Sequence, residues 1–306
     1  VLTPAAWLWI PITIAAALAQ TARNAAQRHL TASLGTLGST LVRFLYGLPF
    51  AVLWLLGVYF VGEFPLPAPN VAFIGWVVVA ALTQIAATAL LLRVMAERNF
   101  SLGIAYSKSE ALQVVVFGLV FLGDAVTLTT ITAIAFGTLG VLLLSPIDRK
   151  NPLRTMIAGW TTRPALLGVL SGAAFGIAAI GYRGGALALE GAAFPMAAAY
   201  TLVAAQTLQT VLLVGWLLVR DAAVVVRVCR AWRASLFAGL MGATASMGWF
   251  TAMAIEPVAH VRTLAMVELL FGYVVSRRIF RERATPLEIT GMVLLTIGLI
   301  VVTLGR

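Results

Sequence analysis

Tyr106-Ser107-Lys108-Ser109-Glu110-Ala111-Leu112-Gln113 sets a lysine and a glutamate inside an apolar segment that runs on to Leu122. The stretch occurs twice. An offset of 158 residues carries Glu110 onto Glu268 without a gap. The same offset carries Met95-Ala96 onto Met253-Ala254, Thr127 onto Thr285, Ile131-Thr132 onto Ile289-Thr290, Gly140 onto Gly298 and Asp124 onto Glu282. Two carboxylates in apolar surroundings are thus related by an internal duplication. The rest of the chain reads as scaffolding for a site between the two copies.

Hydrophobic residues make up 61% of the 306, and charged residues only 10%. The mean hydropathy is +1.00. A soluble domain carries about 25% charged residues. This chain has too little polar surface for water, so an integral membrane protein is expected. The net charge of +10 does not point to nucleic acid, because the arginines cluster in short gaps between apolar runs. The single cysteine, Cys229, excludes an internal disulfide and a thiolate metal cluster. His29 and His260 stand alone and read as loop or interface residues, so neither a metal nor a cofactor is expected. No Gly-Lys-Ser/Thr phosphate loop exists, and Lys108 and Lys150 are the only lysines, so the chain is expected to be neither an ATPase nor any other enzyme. The first apolar segment lacks a preceding basic stretch and reads as a spanning helix, not a cleaved signal.

A helix needs about 20 apolar residues to cross the hydrocarbon core. Ten segments qualify: 5–28, 34–61, 70–96, 101–122, 127–145, 164–188, 194–219, 235–255, 259–280 and 286–304. Pro4, Pro164, Pro195 and Pro286 suit first turns, where no helical N–H bond is lost. No segment alternates as a barrel strand would. Of the 21 Lys and Arg, sixteen fall in odd-numbered gaps, from Arg23 and Arg28 to Arg277, Arg278, Arg281 and Arg283. Three, Arg183, Arg262 and Arg306, fall in even gaps or at the C-terminus, and Arg43 and Lys108 lie inside segments. Basic loops stay in the cytoplasm, so both termini are expected outside. Five helices per half then invert the second half relative to the first, the sequence sign of an inverted-repeat transporter. Repeat one is expected over 1–145, a cytoplasmic linker over 146–163 and repeat two over 164–306.

The stretch Arg220 to Arg233 spaces Arg227, Arg230 and Arg233 three apart. It reads as an ordinary cytoplasmic basic loop, with an interfacial helix on anionic headgroups as the alternative. Gly168, Gly172 and Gly176, and Gly239 with Ala243, Gly242 and Ser246, form small-residue stripes that let helix backbones approach closely.

The run Glu110-Ala111…Leu122-Gly123-Asp124…Gly140 and its copy Glu268-Leu269…Glu282…Gly291…Gly298 resemble the repeated signature of the drug/metabolite transporter superfamily, EamA-like branch. Asp124 and Glu282 match the acid that follows the family's Glu-Pro by thirteen positions, and Gly140, Gly291 and Gly298 match its later glycines, with Ala133 in place of one. Arg43 in Leu-Val-Arg-Phe resembles an arginine common in the family's second helix. The resemblance implies an all-α membrane fold of ten helices in two inverted five-helix repeats. Ala111 and Leu269 replace the prolines, so the family's kink is not expected there. The family also implies cytoplasmic termini, against the charge count, and the charge count is followed.

An ionisable group at the bilayer centre costs about 2.5–3.5 kcal/mol on the lenient insertion scale, so it faces a cavity or a partner. Tyr106, Glu110, Gln113 and Phe117 share one helix face, and the copied face is Leu264, Glu268, Phe271 and Val275. One polar and one apolar wall around matched carboxylates suit an amphipathic ligand. Lys108 points away from Glu110 and needs another partner or snorkels to the interface. Arg43, Gln84 and Gln206 add hydrogen-bonding capacity from helices two, three and seven. The expected substrate-binding set is Glu110, Glu268, Tyr106, Gln113, Arg43, Lys108, Gln84, Gln206 and Phe271. The competing reading of Glu110 is a structural ion pair with Arg43 or Lys108. Arg183 and Arg262 lie near helix ends, where snorkelling is expected. Asp124 and Glu282 read as helix-end caps.

The expected function is secondary transport of a small organic metabolite by alternating access, exporting across a bacterial-type inner membrane, with proton coupling through Glu110 and Glu268. Flipping of a lipid or lipid-linked substrate is the alternative, and a non-transport membrane scaffold a further one. The expected partners are the small-molecule substrate, protons and the bilayer, with no nucleic acid and the oligomeric state open.

Overall fold

The computed structural model describes residues 5, 7–97, 104, 107, 110, 113, 127–144, 163–279, 286, 289–291, 293, 294, 297 and 301. Among them the chain is helical, with turns and short loops and no strand. The helices are α1 (Trp9–Leu45), α2 (Leu48–Phe60), α3 (Val71–Glu97), α4 (Leu128–Leu144), α5 (Arg163–Ala188), α6 (Phe194–Arg230), α7 (Trp232–Ile255), α8 (Val258–Leu264) and α9 (Val267–Ile279). Among the described residues five stretches are long and apolar enough to cross a membrane: Trp9–Phe60, Val71–Glu97, Leu166–Ala188, Trp232–Ile255 and Val258–Val275.

The distribution of side chains fits a multi-pass membrane protein. Leu18, Leu53, Phe60, Leu82, Leu170 and Val211 are exposed, while Arg23, Asn24, Gln27, Arg43 and Gln206 are buried. Water would reverse that arrangement, and hydrocarbon favours it.

The chain forms two compact units, each drawn from both halves of the sequence. One comprises Val1–Ile85 with Ile177–Pro257, the other Ala86–Gly176 with Val258–Arg306.

In the first unit α1 is interrupted at Gly35, whose φ of 71° lies in the left-handed region that glycine enters without a Cβ clash. The interruption turns α1 back on itself, and Gln27 Nε2 donates to the Ser39 carbonyl at 2.7 Å across it. The expected gap at 29–33 is therefore a turn centred slightly later.

The second expected segment, 34–61, is not one helix. It breaks at Tyr46-Gly47, between α1 and α2. Pro49 has no N–H, so the Leu45 carbonyl loses its helical donor, and Gly47 weakens the turn before it.

Helix α3 starts at an Asn70 cap. Asn70 Oδ1 accepts from the Phe73 N–H at 2.8 Å. Its Nδ2 donates to the Ala188 carbonyl at 2.7 Å, which ties the start of α3 to the end of α5.

Helix α6 starts with Pro195 in its first turn, as expected, but continues past the predicted end at 219. Asp221 (φ −159°, ψ 81°) kinks it, and the chain is helical again to Arg230. The basic stretch read as a loop is thus helical. Val224 and Val228 are buried with Leu30, Leu34, Leu41 and Phe44, and Tyr46 Oη donates to the Val228 carbonyl at 3.2 Å. Its apolar side is consumed by protein, while Arg227 and Arg230 are exposed.

The small-residue stripe on α7 works at Gly239 and Gly242. A Cβ on Gly239 would lie 2.5 Å from the Tyr46 backbone carbon, so α1 and α7 touch backbone to backbone there.

In the second unit, α4 matches the expected segment 127–145, and Ser171 of α5 donates to the Ala87 carbonyl at 2.8 Å. The expected helix 259–280 breaks into α8 and α9 at Ala265-Met266. Tighter bonds carry the chain through: Met266 N–H to Thr263 O at 3.1 Å and Glu268 N–H to Ala265 O at 3.0 Å. A kink was not expected without a proline, yet the chain bends just before Leu269. The linker 146–163 lies outside the described residues except for Arg163, which begins α5. So do Asp124 and Glu282.

Candidate functional site

Of the expected site residues that the structure describes, Arg43, Gln84 and Gln206 belong to the first unit, and Glu110, Gln113, Glu268 and Phe271 to the second.

In the second unit, Arg262 Nε of α8 lies 2.9 Å from Glu110 Oε1 in a buried ion pair. The expected partners of Glu110 were Arg43 and Lys108, of which Lys108 lies outside the described residues. Arg262 is only 8% exposed, so it does not snorkel to an interface. The sequence placed it correctly near a helix end, but distance to a helix end says nothing about which side of the helix faces protein.

Glu268 is 1% exposed and sits in the first turn of α9. The positive end of the helix dipole favours a carboxylate there. The break at Ala265-Met266 separates Leu264 from Glu268, so the predicted continuous face Leu264–Glu268–Phe271–Val275 does not exist as one helix face. Gln113 and Phe271 are half-buried. Tyr106 and Lys108, and with them Phe117, lie outside the described residues.

In the first unit, Arg43 and Gln84 meet. With the amide oriented so that its oxygen faces the guanidinium, Gln84 accepts from Arg43 Nη1 at 2.9 Å and from Nη2 at 2.5 Å. The Arg43 guanidinium carbon also lies 5.3 Å from the centre of the Phe44 ring. Gln206 of α6 points at the break between α1 and α2: a Cβ on Gly47 would lie 3.0 Å from Gln206 Nε2. Gln206 is 2% exposed, and neither of its amide atoms has a hydrogen-bond partner.

The sequence reading missed Arg23. It was counted as a cytoplasmic charge, yet it is 1% exposed inside the unit. Its Nε and Nη2 donate to Asn24 Oδ1 at 3.2 and 2.6 Å. Spacing offered a signal, since Arg23, Asn24 and Gln27 share one side of α1 within a turn of each other. Arg183 was also misread as a snorkelling residue. Its Nη1 donates to the Met253 and Glu256 carbonyls, each at 2.8 Å, and so caps the C-terminal end of α7.

Two features recur in both units. A spanning helix breaks, and a buried charged residue stands within a few positions of the break: Arg43 before Tyr46-Gly47, Glu268 after Ala265-Met266. Broken helices expose backbone groups that ligands and ions can use.

No family model matches the sequence, and no curated protein matches it. Solved structures do. One, described only as the crystal structure of a protein, aligns with a TM-score of 0.68 at 14% identity, over 97% of this chain and 96% of its own. That likeness is one of fold.

Proposed function

We propose that the protein is a secondary transporter that moves a small organic metabolite outward across a bacterial-type inner membrane by alternating access. The reading includes ten spanning helices in two inverted repeats, as in the drug/metabolite transporter superfamily that the sequence resembles, with both termini outside. One observation carries it: two apolar helices break next to buried charges, Arg43 in one unit and Glu268 in the other. A passive scaffold gains nothing from intramembrane charge, which costs energy wherever it is not used. A transporter uses broken helices to present charge and free backbone groups to a solute at mid-membrane.

The test is flux in proteoliposomes loaded with a radiolabelled metabolite mixture. Counterflow or gradient-driven uptake above empty liposomes is expected. Fluorescent-lipid scrambling without solute flux would replace the transport reading with lipid flipping. Neither activity would leave a scaffold.

A further inference from the structure

We infer that the helical stretch 222–230, with Arg220 and Arg233 at its ends, is a docking surface for anionic phospholipid headgroups. The surface goes beyond the transport reading and does not depend on what the protein carries.

The core fixes the stretch in place. Val224 and Val228 are buried with Leu30, Leu34, Leu41 and Phe44, and Tyr46 Oη donates to the Val228 carbonyl at 3.2 Å. The stretch therefore does not turn these valines into a bilayer, as a free amphipathic helix would. What it offers a membrane is charge. Arg220, Arg227, Arg230 and Arg233 are all exposed.

That charge is barely offset nearby. Helices α1, α2, α6 and α7 carry Arg23, Arg28 and Arg43 besides these four, and a single acidic residue, Asp221. Asp221 Oδ2 lies 3.5 Å from Arg227 Nη2, and both side chains are about half exposed, so the pair is a weak one. Among the described residues Arg220, Arg230 and Arg233 form no ion pair.

The neighbours point to lipid in preference to a soluble acidic protein. Trp216, Val219, Val226 and Trp232 interleave with the arginines in sequence, and each is about half exposed or more. The Arg220 guanidinium carbon lies 4.9 Å from the centre of the Trp216 ring, and that of Arg233 5.4 Å from Trp232. Each pair sets a guanidinium beside a residue type that settles at headgroup level. A phospholipid interface supplies apolar cover for the rings and valines. It also supplies phosphate oxygens, which a guanidinium binds through paired N–H donors.

Native Cys229 lies in this stretch, is exposed and is the only cysteine, so a fluorophore attached there reports the local lipid. The full chain is labelled and reconstituted in bilayers of phosphatidylglycerol and phosphatidylcholine at equal mole fraction, with one lipid or the other brominated as quencher. Brominated phosphatidylglycerol should quench more strongly at low salt, and molar salt should erase the difference. A basic residue near an anionic surface strengthens binding about fivefold, so Arg230→Gln should cut the preference by about that factor. Arg227→Gln should cut it less, because Asp221 already shares that charge, and Asp221→Asn should increase it. Arg277→Gln with Arg278→Gln, on α9, controls for net charge and should cost less than Arg230→Gln alone. Equal quenching by the two lipids, a preference that survives molar salt, or an equal loss in the α9 control would overturn the inference. Inorganic phosphate should relieve quenching no more than chloride at the same ionic strength, and greater relief would assign a free-anion site instead. Equal quenching by the two lipids with a Cys229 fluorescence change on adding polyglutamate would make the surface a protein-docking one.

Discussion

Arg262 Nε lies 2.9 Å from Glu110 Oε1, and the two side chains are 8% and 6% exposed. The residues come from opposite halves of the duplicated chain and close one unit around a shared charge pair. The duplication maps Glu110 onto Glu268, but it maps Arg262 onto Ile104. One copy carries a cation where the other carries an isoleucine, so the two copies of the sequence differ in charge at this position.

Removing one member of a buried pair strands the other. Glu110→Leu or Arg262→Leu alone should lower stability by about 3–5 kcal/mol, while the double variant should recover most of it, because replacing a whole buried pair with apolar groups is often neutral. Glu110→Gln, which keeps shape and one acceptor, should cost less than Glu110→Leu. Tm in detergent for the four proteins measures this. Flux then separates the roles: a folded double variant without transport assigns the pair to the transport cycle, and one with full transport makes it purely structural.

Arg183 ties off the end of α7 through two carbonyls at 2.8 Å. Hydrogen bonds to a charged group are worth about 1.5–3 kcal/mol each, and the carbonyls stay buried when the donor goes. Arg183→Met should lower stability by about 2–4 kcal/mol, on the order of two such bonds partly replaced. Arg183→Lys should restore part of the loss, since one ammonium can reach only part of the fork's geometry. Unchanged Tm in Arg183→Met would mean that the α7 end is closed by something else.

Part of this arrangement was legible in sequence. The charged stretch around Glu110, its copy at Glu268 and the polar positions Arg43, Gln84 and Gln206 all stand out because an apolar helix advertises every polar residue it contains. All of those five are buried. The breaks were not foreseen, for different reasons. At Gly47 and Pro49 the breaker residues were present, and hydropathy alone overrode them. At Ala265-Met266 no Gly or Pro marks the bend, so only packing can set it. Arg23 and Arg262 were misjudged because charge counting assigns a residue to a gap by its neighbours in sequence, whereas burial depends on the side of the helix that meets another helix. The stretch Arg220 to Arg233 reads as a loop because basic residues collect between spanning segments, although the three-residue spacing of its arginines also suits a helix. Its two inward valines, Val224 and Val228, decide the matter, and their partners lie far away in sequence.

Close approach of α1 and α7 should be intolerant of a single methyl group. A Cβ on Gly239 would meet Tyr46 backbone and side-chain atoms at 2.5–2.6 Å, and backbone cannot step aside as a flexible chain end can. Gly239→Ala should cost about 1–3 kcal/mol through overpacking. Gly215→Ala is the internal control. Nothing lies within 4 Å of a Cβ at that position on α6, so the substitution should be neutral or stabilise by up to about 1 kcal/mol through helix propensity. Chemical or thermal unfolding in one detergent compares the pair, and equal stabilities would refute the packing argument.

Native Cys229 offers the cleanest test of orientation. It is exposed, it is the only cysteine, and it sits in the helical basic stretch after the Asp221 kink. The neighbourhood has the character of a membrane boundary. Arg220 lies 4.9 Å from the Trp216 ring centre and Arg233 5.4 Å from that of Trp232, and both tryptophans are about half exposed. Tryptophans anchor at the headgroup level, and arginines collect on the cytoplasmic side of it. Burial of Arg23 removes one charge from the sixteen and burial of Arg262 one from the three opposed to them, so the bias of fifteen against two keeps its sign. An impermeant maleimide should therefore leave Cys229 unlabelled in intact cells and label it in inverted vesicles. Val1→Cys and Arg306→Cys, each made in a Cys229→Ser background, should show the reverse pattern. Labelling of Cys229 from outside would invert the whole topology, and it would place the basic stretch on the face where positive loops are disfavoured.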